Sequence, residues 1–484
     1  MSVPPNRRRT KCHWPLPRSA AGALLGAALL LAAACTVYRT APLDPRRSAA
    51  DFAARRLDSP QVRAVVLRLI PQAAAQWPPT AWDRAQLLAA ALADNPRLAV
   101  ARAEVRSALA RETTAAQLPN PDLMLRSEYA RDDAHPWLYG LSLNWLIRSP
   151  ERRRLEMKIA RLGAGNAELG LMNRVWSVRL QLDAALSVLQ DARRRMALLK
   201  SLSAAQDRLL ALQRRRVAAG EDPPAELVGA QRARLETLQQ QAHLRALADA
   251  AGADAAAALG LPPRALAGVR YAWPHWGAPP RVGPSALRDG RERALLSRAD
   301  LGAAIGAYAA AEARLKSAIA RQYPQFTLGP GYYWDHGIAK FPLDVGFTLP
   351  LNRNRGQIAE ARADRELAGQ RMLALQAAIY GEIGGARRAE LTARASVRTA
   401  ERELSAVRRQ ARQADLAVSL GESGAERRLG AAIIVARTEL AVVQARAQLQ
   451  RARIALEDAL HAPLSGPELA LATTLSEVGA GAGS

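Results

Sequence analysis

The stretch that decides the fold is Phe341-Pro342-Leu343-Asp344-Val345-Gly346-Phe347-Thr348-Leu349, in which large apolar side chains alternate with other residues. A period of two places the apolar residues on one face of a β-strand. A second alternating segment covers residues 139–147, and residues 122–129 and 325–334 precede the two as their partners. Each segment is close to the ~9–11 residues that a tilted strand needs to cross a bilayer. We therefore expect four strands.

Aromatic residues mark the ends of these segments, where membrane strands carry interfacial girdles. They are Tyr129, Trp137, Tyr139, Trp145, Tyr332, Tyr333, Trp334 and Phe341. Alternation alone also fits a soluble β-hairpin with one buried face. The membrane is favoured because residues 1–34 indicate export of the chain.

Two very long helices follow the strand pairs, because residues 151–222 and 351–462 contain no proline. Apolar residues recur there at alternating spacings of four and three, beginning with Leu171, Val175, Val178 and Leu182. This heptad pattern is typical of a left-handed coiled coil. At 1.5 Å per residue, the first helix, Glu151 to Gly220, would reach about 105 Å. A helix of that length spans a distance and does not fill a globular core.

The two halves of the chain are a tandem repeat, since a shift of 203 positions places Leu98 on Leu301 and Pro121 on Pro324. Each half runs in the order helix, proline, two strands, long helix, glycine turn and returning helix. We expect the following organisation: a signal peptide at 1–34, an N-terminal segment at 35–84 that carries lipid, a first repeat at 85–262, a linker or equatorial segment at 263–297, a second repeat at 298–462, and a tail at 463–484.

The first 34 residues carry five basic residues and no acidic one, followed by an apolar run from Ala20 to Ala34. That run is short for a transmembrane helix and typical of a signal peptide. The small residues directly before Cys35 resemble a bacterial lipoprotein cleavage site, which implies that Cys35 carries lipid. Thr36 after the cysteine points, by the same resemblance, to the outer membrane. The alternative is an ordinary signal peptide in which Cys35 has no role.

Charge and composition narrow the function. A formal net charge of +24 suggests a nucleic-acid or anionic-membrane partner, but an exported protein does not meet chromosomal DNA, so we expect no nucleic-acid partner. Two cysteines exclude a disulfide-rich scaffold. No hydrolase, nucleotide-binding or redox motif occurs, so we expect no enzyme and no cofactor. His135 and His336 lie beside aspartates in matching loops; a metal site there is conceivable, but polar loop residues are commoner, and we predict none.

Strand number sets the assembly. Closed membrane barrels start at about eight strands, and four strands alone would leave two bare edges in lipid. The strands must therefore be shared between chains. Two copies would give eight strands and three copies twelve; the count permits either.

The ordered set of features resembles the outer-membrane efflux protein (TolC) family over residues 85–464. The resemblance rests on the duplicated plan and on three sets of residues: Asn95-Pro96-Arg97-Leu98 with Leu118-Pro119-Asn120-Pro121-Asp122-Leu123, Arg298-Ala299-Asp300-Leu301 with Tyr323-Pro324-Gln325-Phe326, and Pro350-Leu351 with Asn354 and Gly356. Together with Cys35, it is closest to lipoprotein members that serve pumps of the resistance–nodulation–division type.

This resemblance implies a mixed, mainly α fold: duplicated coiled-coil hairpins and four β-strands per chain, shared in a trimeric outer-membrane barrel. It also implies a homotrimer in a Gram-negative outer membrane, with its helices in the periplasm. The partners would be outer-membrane lipid, a periplasmic adaptor protein and an inner-membrane transporter. Such a protein passively conducts heavy-metal ions or drugs outward. The alternative is a non-channel lipoprotein whose coiled coil is a spacer or adaptor.

The two helical turns, residues 218–225 and 419–426, would form the periplasmic tip, where relatives narrow the tunnel and contact the adaptor. The candidate residues for the tip and aperture are Gly220, Glu221, Asp222, Gly421, Glu422, Glu426, Arg427 and Arg428. The cations beside the acids argue against a purely acidic gate. The simpler alternative is that the glycines end helices and the charges are solvated.

Overall fold

The computed structural model describes residues 38–469 and residue 471. The chain divides into two compact units, residues 1–54 and residues 55–484. The signal peptide predicted at 1–34, Cys35 and residues 472–484 of the tail lie outside the described residues. In the described part of the first unit, the secondary structure is one helix.

The elements, in chain order, are α1 (Pro45–Ala54), α2 (Pro60–Leu69), β1 (Trp82–Asp83), α3 (Arg84–Asp94), α4 (Pro96–Ala116), β2 (Asp122–Tyr129), β3 (Trp137–Ile147), α5 (Pro150–Ala218), α6 (Ala225–Leu259), β4 (Tyr271–Ala272), α7 (Pro284–Ser297), α8 (Ala299–Ala320), β5 (Phe326–Asp335), β6 (Ile338–Lys340), β7 (Leu343–Phe347), α9 (Arg355–Ser419) and α10 (Ala425–Leu460). The repeat is confirmed at the level of elements, because α4–β2–β3–α5–α6 and α8–β5–β6/β7–α9–α10 follow the same order.

The long helices pack along the predicted seams. α5 contacts α4, α6, α8 and α10, and α9 contacts α8 and α10. Val178, Leu182 and Leu199 of α5 are buried, as are Val397 of α9 and Leu449 of α10. These are the heptad positions that the sequence predicts to face a partner helix. α5 has 69 residues and α9 has 65. Within the described residues, no helix is long and apolar enough to span a membrane.

The strands β2, β3 and β5 form an antiparallel sheet in that order, and β6 and β7 pair one after the other along the outer edge of β5. The fourth predicted strand, residues 341–349, is wrong in its bounds. Only Leu343–Phe347 form β7, and the short β6 precedes it. Between them lies Pro342, whose nitrogen has no hydrogen to donate to a strand neighbour, although its carbonyl accepts from Gly331 N at 2.9 Å.

A hydrophobic core lies where the shorter elements pack against residues 178–186 of α5. The two-residue strands β1 and β4 pair in parallel through Trp82 and Tyr271. Trp82 and Leu266 belong to the same buried cluster as Val178 and Leu182. Residues 263–297, predicted as a linker or equatorial segment, thus contain a 3₁₀ turn, β4 and α7, and they pack against the long helices.

Candidate functional site

The sheet has one apolar face, and it is exposed in the single chain. Strand register aligns Leu125 with Leu141, Leu141 with Tyr332, and Leu328 with Val345. Leu125 is 78% exposed and Val345 is 59% exposed. The same face carries Leu123, Leu143, Trp145, Ile147, Phe326 and Phe347. A contiguous apolar surface of this kind is a site for lipid or for another protein.

The opposite face of the sheet is mostly polar or small. Its residues include Asp122, Arg126, Glu128, Gly140, Ser142, Asn144, Thr327, Gly329, Gly331, Asp344 and Gly346, together with the larger Met124, Leu138, Leu146 and Tyr333. A sheet with one apolar and one polar face separates an apolar medium from an aqueous one.

Aromatic rings meet at both ends of the strands. At the loop end, Tyr129 and Trp137 pack edge to face with centroids 4.9 Å apart, and Tyr332 lies 5.2 Å from Phe341. At the helix end, Phe326 lies 6.3 Å from Phe347. The predicted concentration of aromatics near strand ends is therefore present in the structure.

The turn between α5 and α6 ends its helix with a Schellman motif. Gly220 has a φ of +76°, a conformation that favours glycine. Its N–H donates to Val217 O at 3.0 Å, and Glu221 N donates to Arg216 O at 2.9 Å. The turn between α9 and α10 has the same bonds around Gly421, whose φ is +78°. Both predicted glycine turns have a helix-ending geometry.

Three of the candidate acids converge on one guanidinium within the chain. Arg216 lies 3.5 Å from Glu221, 2.8 Å from Asp222 and 2.9 Å from Glu426. Gln213 Nε2 donates to the same Glu426 carboxylate at 3.3 Å. Since Glu426 belongs to the second hairpin, this cluster ties the two tips of one chain together.

The remaining tip candidates lie outside that cluster. Glu422 and Arg427 are exposed, and Arg428 lies 3.9 Å from Asp415. The sequence reasoning missed Arg216, although the run Arg214-Arg215-Arg216 directly before the glycine turn places cations where they would meet the acids.

The loops at the far end of the strands bring the two candidate histidines together. His336 Nδ1 lies 2.8 Å from the carbonyl oxygen of His135 and 3.4 Å from Asp133 Oδ2. Among the residues that the structure describes, no group of three or more His, Cys, Asp or Glu side chains is arranged to hold a metal ion.

No family model and no curated protein sequence matches the chain. Solved structures do. The outer-membrane channel OprN superposes with a TM-score of 0.66 at 21% identity, over 89% of this chain and 99% of that one. The outer membrane protein VceC of Vibrio cholerae gives 0.64 at 18%, over 78% and 96%. The Campylobacter jejuni CmeC outer membrane channel gives 0.65 at 14%, over 98% and 97%. The fold expected from the sequence is therefore confirmed.

Proposed function

We propose that this chain, which has the fold of TolC-type outer-membrane channels, is the exit duct of a tripartite efflux pump. Three copies would conduct substrates such as heavy-metal ions or drugs passively from the periplasm to the outside. The exposed apolar face of the sheet, backed by a polar face, is the observation that carries the proposal, because a bilayer covers such a face on one side while water fills the other.

Unpaired strand edges support assembly from several chains. Among the described strands, β2 pairs only with β3, and β6 and β7 pair only with β5. In lipid, each unsatisfied backbone group costs several kcal/mol, so β2 of one copy must pair with the outer edge of the next. A barrel of about eight strands is filled by its own side chains, whereas twelve leave a lumen. A duct needs a lumen, and this favours three copies over two.

The tip residues are proposed to form the periplasmic aperture and the surface for the adaptor. Gly220 and Gly421 shape the turns, while Glu221, Asp222 and Glu426 are held by Arg216. The exposed side chains of Glu422, Arg427 and Arg428 can face a partner or the passing substrate, although Arg428 also lies 3.9 Å from Asp415. An adaptor protein and an inner-membrane transporter that supplies the energy complete the proposed pump.

Export and anchoring remain proposals from the sequence. Residues 1–34 would direct the chain out of the cytoplasm, and Cys35 would carry lipid that holds the mature N-terminus at the outer membrane. Mass spectrometry of the mature N-terminus measures both at once: a chain that begins at Cys35 and carries acyl mass supports them.

Planar-bilayer recording of the purified full chain tests the duct. We expect discrete conductance steps and a trimeric mass in detergent. Leu125→Arg puts a charge on the apolar face, where it costs about 2–4 kcal/mol at the bilayer midplane, and should abolish insertion. Met124→Arg, one residue away on the opposite face, is the matched control and should still conduct. A monomer without conductance steps would instead support the coiled-coil spacer.

Glu426→Gln tests the aperture in the same recordings. It weakens the half-exposed pair with Arg216, an interaction worth up to about 1 kcal/mol. We expect open probability to rise by about twofold to fivefold. Glu403→Gln, an exposed acid farther along α9, is the control. Exchange of Arg427 and Arg428 for Ser should shift ion selectivity towards cations; unchanged conductance and selectivity would remove them from the aperture.

A further inference from the structure

The last described segment, residues 462–469, is fastened to two helices by polar contacts. Leu464 N donates to Glu457 Oε1 of α10 at 3.1 Å. Ser465 O accepts from Arg84 Nη2 of α3 at 3.2 Å, and Ser465 Oγ lies 3.4 Å from Arg453 Nη2. The segment therefore docks on charged groups rather than on an apolar surface alone.

Those groups form a buried charge cluster, which contains the carboxylates of Asp183, Glu457 and Glu468 and the guanidiniums of Arg84 and Arg179. All five side chains are at most 7% exposed. Arg179 Nη2 lies 2.5 Å from Glu457, 3.3 Å from Asp183 and 3.8 Å from Glu468. One nitrogen carries two hydrogens and cannot serve three carboxylates. Arg453, also buried, adds a third guanidinium 3.4 Å from Glu457. The donors and acceptors are nevertheless mismatched, because Nε and Nη1 of Arg179, Nε of Arg453 and both oxygens of Glu468 have no hydrogen-bond partner within the described residues.

Glu468 is the carboxyl left over. Arg84 Nη2 lies 2.9 Å from its Oε2, yet within the described residues no hydrogen bond of acceptable geometry reaches either oxygen. Asp183, by contrast, accepts from Arg84 Nη1 at 3.4 Å. Burial, followed by the negative charges of Asp183 and Glu457, raises the pKa of Glu468 to about 8, although Arg179 and Arg84 act in the opposite direction.

The surroundings leave the cations little freedom to rearrange. Trp273 stacks on the Arg84 guanidinium at 4.6 Å. Gly466 has a φ of +105°, and a Cβ there would lie 2.3 Å from Arg84 Nη2. Behind Glu457, Arg453 approaches at 3.4 Å but is shared with Glu390. Each of the three guanidiniums also contacts a carboxylate other than Glu468: Arg84 contacts Asp183, and Arg179 and Arg453 contact Glu457.

We propose that Glu468 is a proton-dependent latch that fastens residues 462–469 to α3, α5 and α10 when it is protonated and releases them when it ionises. Ionisation places an unsatisfied negative charge beside Asp183 and Glu457 in a space closed to solvent, and that is costly. Undocking the segment hydrates the carboxylate and relieves the repulsion. The latch lies wholly in the helical part of the chain and does not depend on the proposed channel activity.

The direction of the pH effect follows from linkage. An exposed glutamate has an ordinary pKa of 4.5, and the docked one titrates near 8. Between these values the docked state binds more protons than the undocked state, so docking weakens as the pH rises, by up to about tenfold per pH unit. The latch is fully closed below pH 4.5 and loses no further strength above pH 8.

Hydrogen–deuterium exchange on the full chain in detergent measures the latch, with protection factors dividing out the intrinsic pH dependence of exchange. We expect protection of residues 462–469 to fall by about tenfold or more between pH 6 and pH 8, while the tips of α5 and α9 serve as internal references. Glu468→Gln mimics the protonated carboxyl and should stay protected at both pH values. Glu403→Gln, an exposed acid, should behave like the wild type.

Equal pH dependence in wild type and Glu468→Gln would overturn the proposal, as would constant wild-type protection from pH 6 to pH 8. Loss of protection throughout the helices at pH 8 would overturn it too, because the latch predicts local release. If the glutamine variant does not accumulate, the wild-type profile decides alone. Loss of conductance in the bilayer experiment leaves these readings unaffected.

Discussion

The two repeats differ in how they satisfy the free backbone groups at one junction, where the C-terminus of a returning helix meets the N-terminus of a shorter helix. Between α6 and α4, Asn95 serves both ends: Nδ2 donates to Ala258 O at 2.7 Å, and Oδ1 accepts from Arg97 N and Leu98 N. A single buried amide therefore satisfies a C-terminal carbonyl and caps a helix N-terminus.

Between α10 and α8, the position that matches Asn95 is Arg298, which can only donate. Its Nη1 reaches Ala459 O at 2.9 Å, so it satisfies the carbonyl that matches Ala258. Arg298 makes no side-chain cap, but Asp300 in the first turn of α8 satisfies one of the free N–H groups there: its Oδ1 accepts from Leu301 N at 2.8 Å, while both of its oxygens bind Arg298. Duplication preserved the contact between the helix ends and replaced one residue by a pair.

The reach of the side chains also sets the space between the helix ends. At the first junction Gly260 has a φ of +73°, and a Cβ there would lie 2.3 Å from Asp94 O. At the second junction His461 occupies the matching position with a φ of +48°, so there a Cβ fits. A short asparagine holds its two helix ends close, whereas a long arginine bridges ends that leave room for a side chain.

Among the substitutions at the two junctions, Gly260→Ala should lower the unfolding free energy most. The new methyl group must displace backbone, and alanine is strained at positive φ, so we expect a loss of about 2–5 kcal/mol in unfolding free energy. Urea unfolding of the purified chain, followed by helical circular dichroism, measures it.

His461→Gly is the matched control for that change. It relieves about 1 kcal/mol of left-handed strain and gives up the ring contact with Trp176 at 5.0 Å, worth about 0.5–1.5 kcal/mol. We expect a net change within about 1 kcal/mol. If Gly260→Ala also changes the unfolding free energy by less than about 1 kcal/mol, the first junction is not the tighter one.

Periodicity predicted the elements but not these junctions. The heptads of α5 and the alternation of β3 are local patterns, and the structure has both elements within a few residues of the predicted bounds. Asn95 stood out only as part of a motif, because its partner Ala258 is 163 residues away and nothing local indicates it.

One miss is local, whereas the other two depend on contacts between segments that are distant in the sequence. Pro342 breaks the fourth strand although the alternation of side chains continues past it. The Arg84–Asp183–Glu468 cluster was missed because charged residues normally face solvent, and only the packing of distant segments buries these. Arg216 joins the tips through Glu426, a residue of the other repeat.

Asn95→Ala tests the first junction with a smaller expected loss of unfolding free energy than Gly260→Ala. It removes an N-cap, worth about 1 kcal/mol, and leaves a buried carbonyl without its donor, at about 1–3 kcal/mol. We expect a loss of about 2–3 kcal/mol. Arg298→Ala also leaves a buried carbonyl, that of Ala459, without its donor, at about 1–3 kcal/mol. Asp300 keeps its hydrogen bond from Leu301 N and is partly hydrated, so we expect a loss of about 1–2 kcal/mol. Both losses are read from urea midpoints at neutral pH.

The pH dependence of the two losses distinguishes the mechanisms. Burial opposes it, but the hydrogen bond and charge of Arg298 hold the pKa of Asp300 below its ordinary value of 3.8. The stability that this pair contributes is present above pH 3.8 and is lost as the pH falls through the lowered pKa. The Arg298→Ala loss should therefore shrink in acid, whereas the Asn95→Ala loss should not, because an amide does not titrate. If the losses of unfolding free energy in the two variants change with pH in the same way below pH 3.8, the Arg298–Asp300 ion pair does not distinguish the second junction from the first.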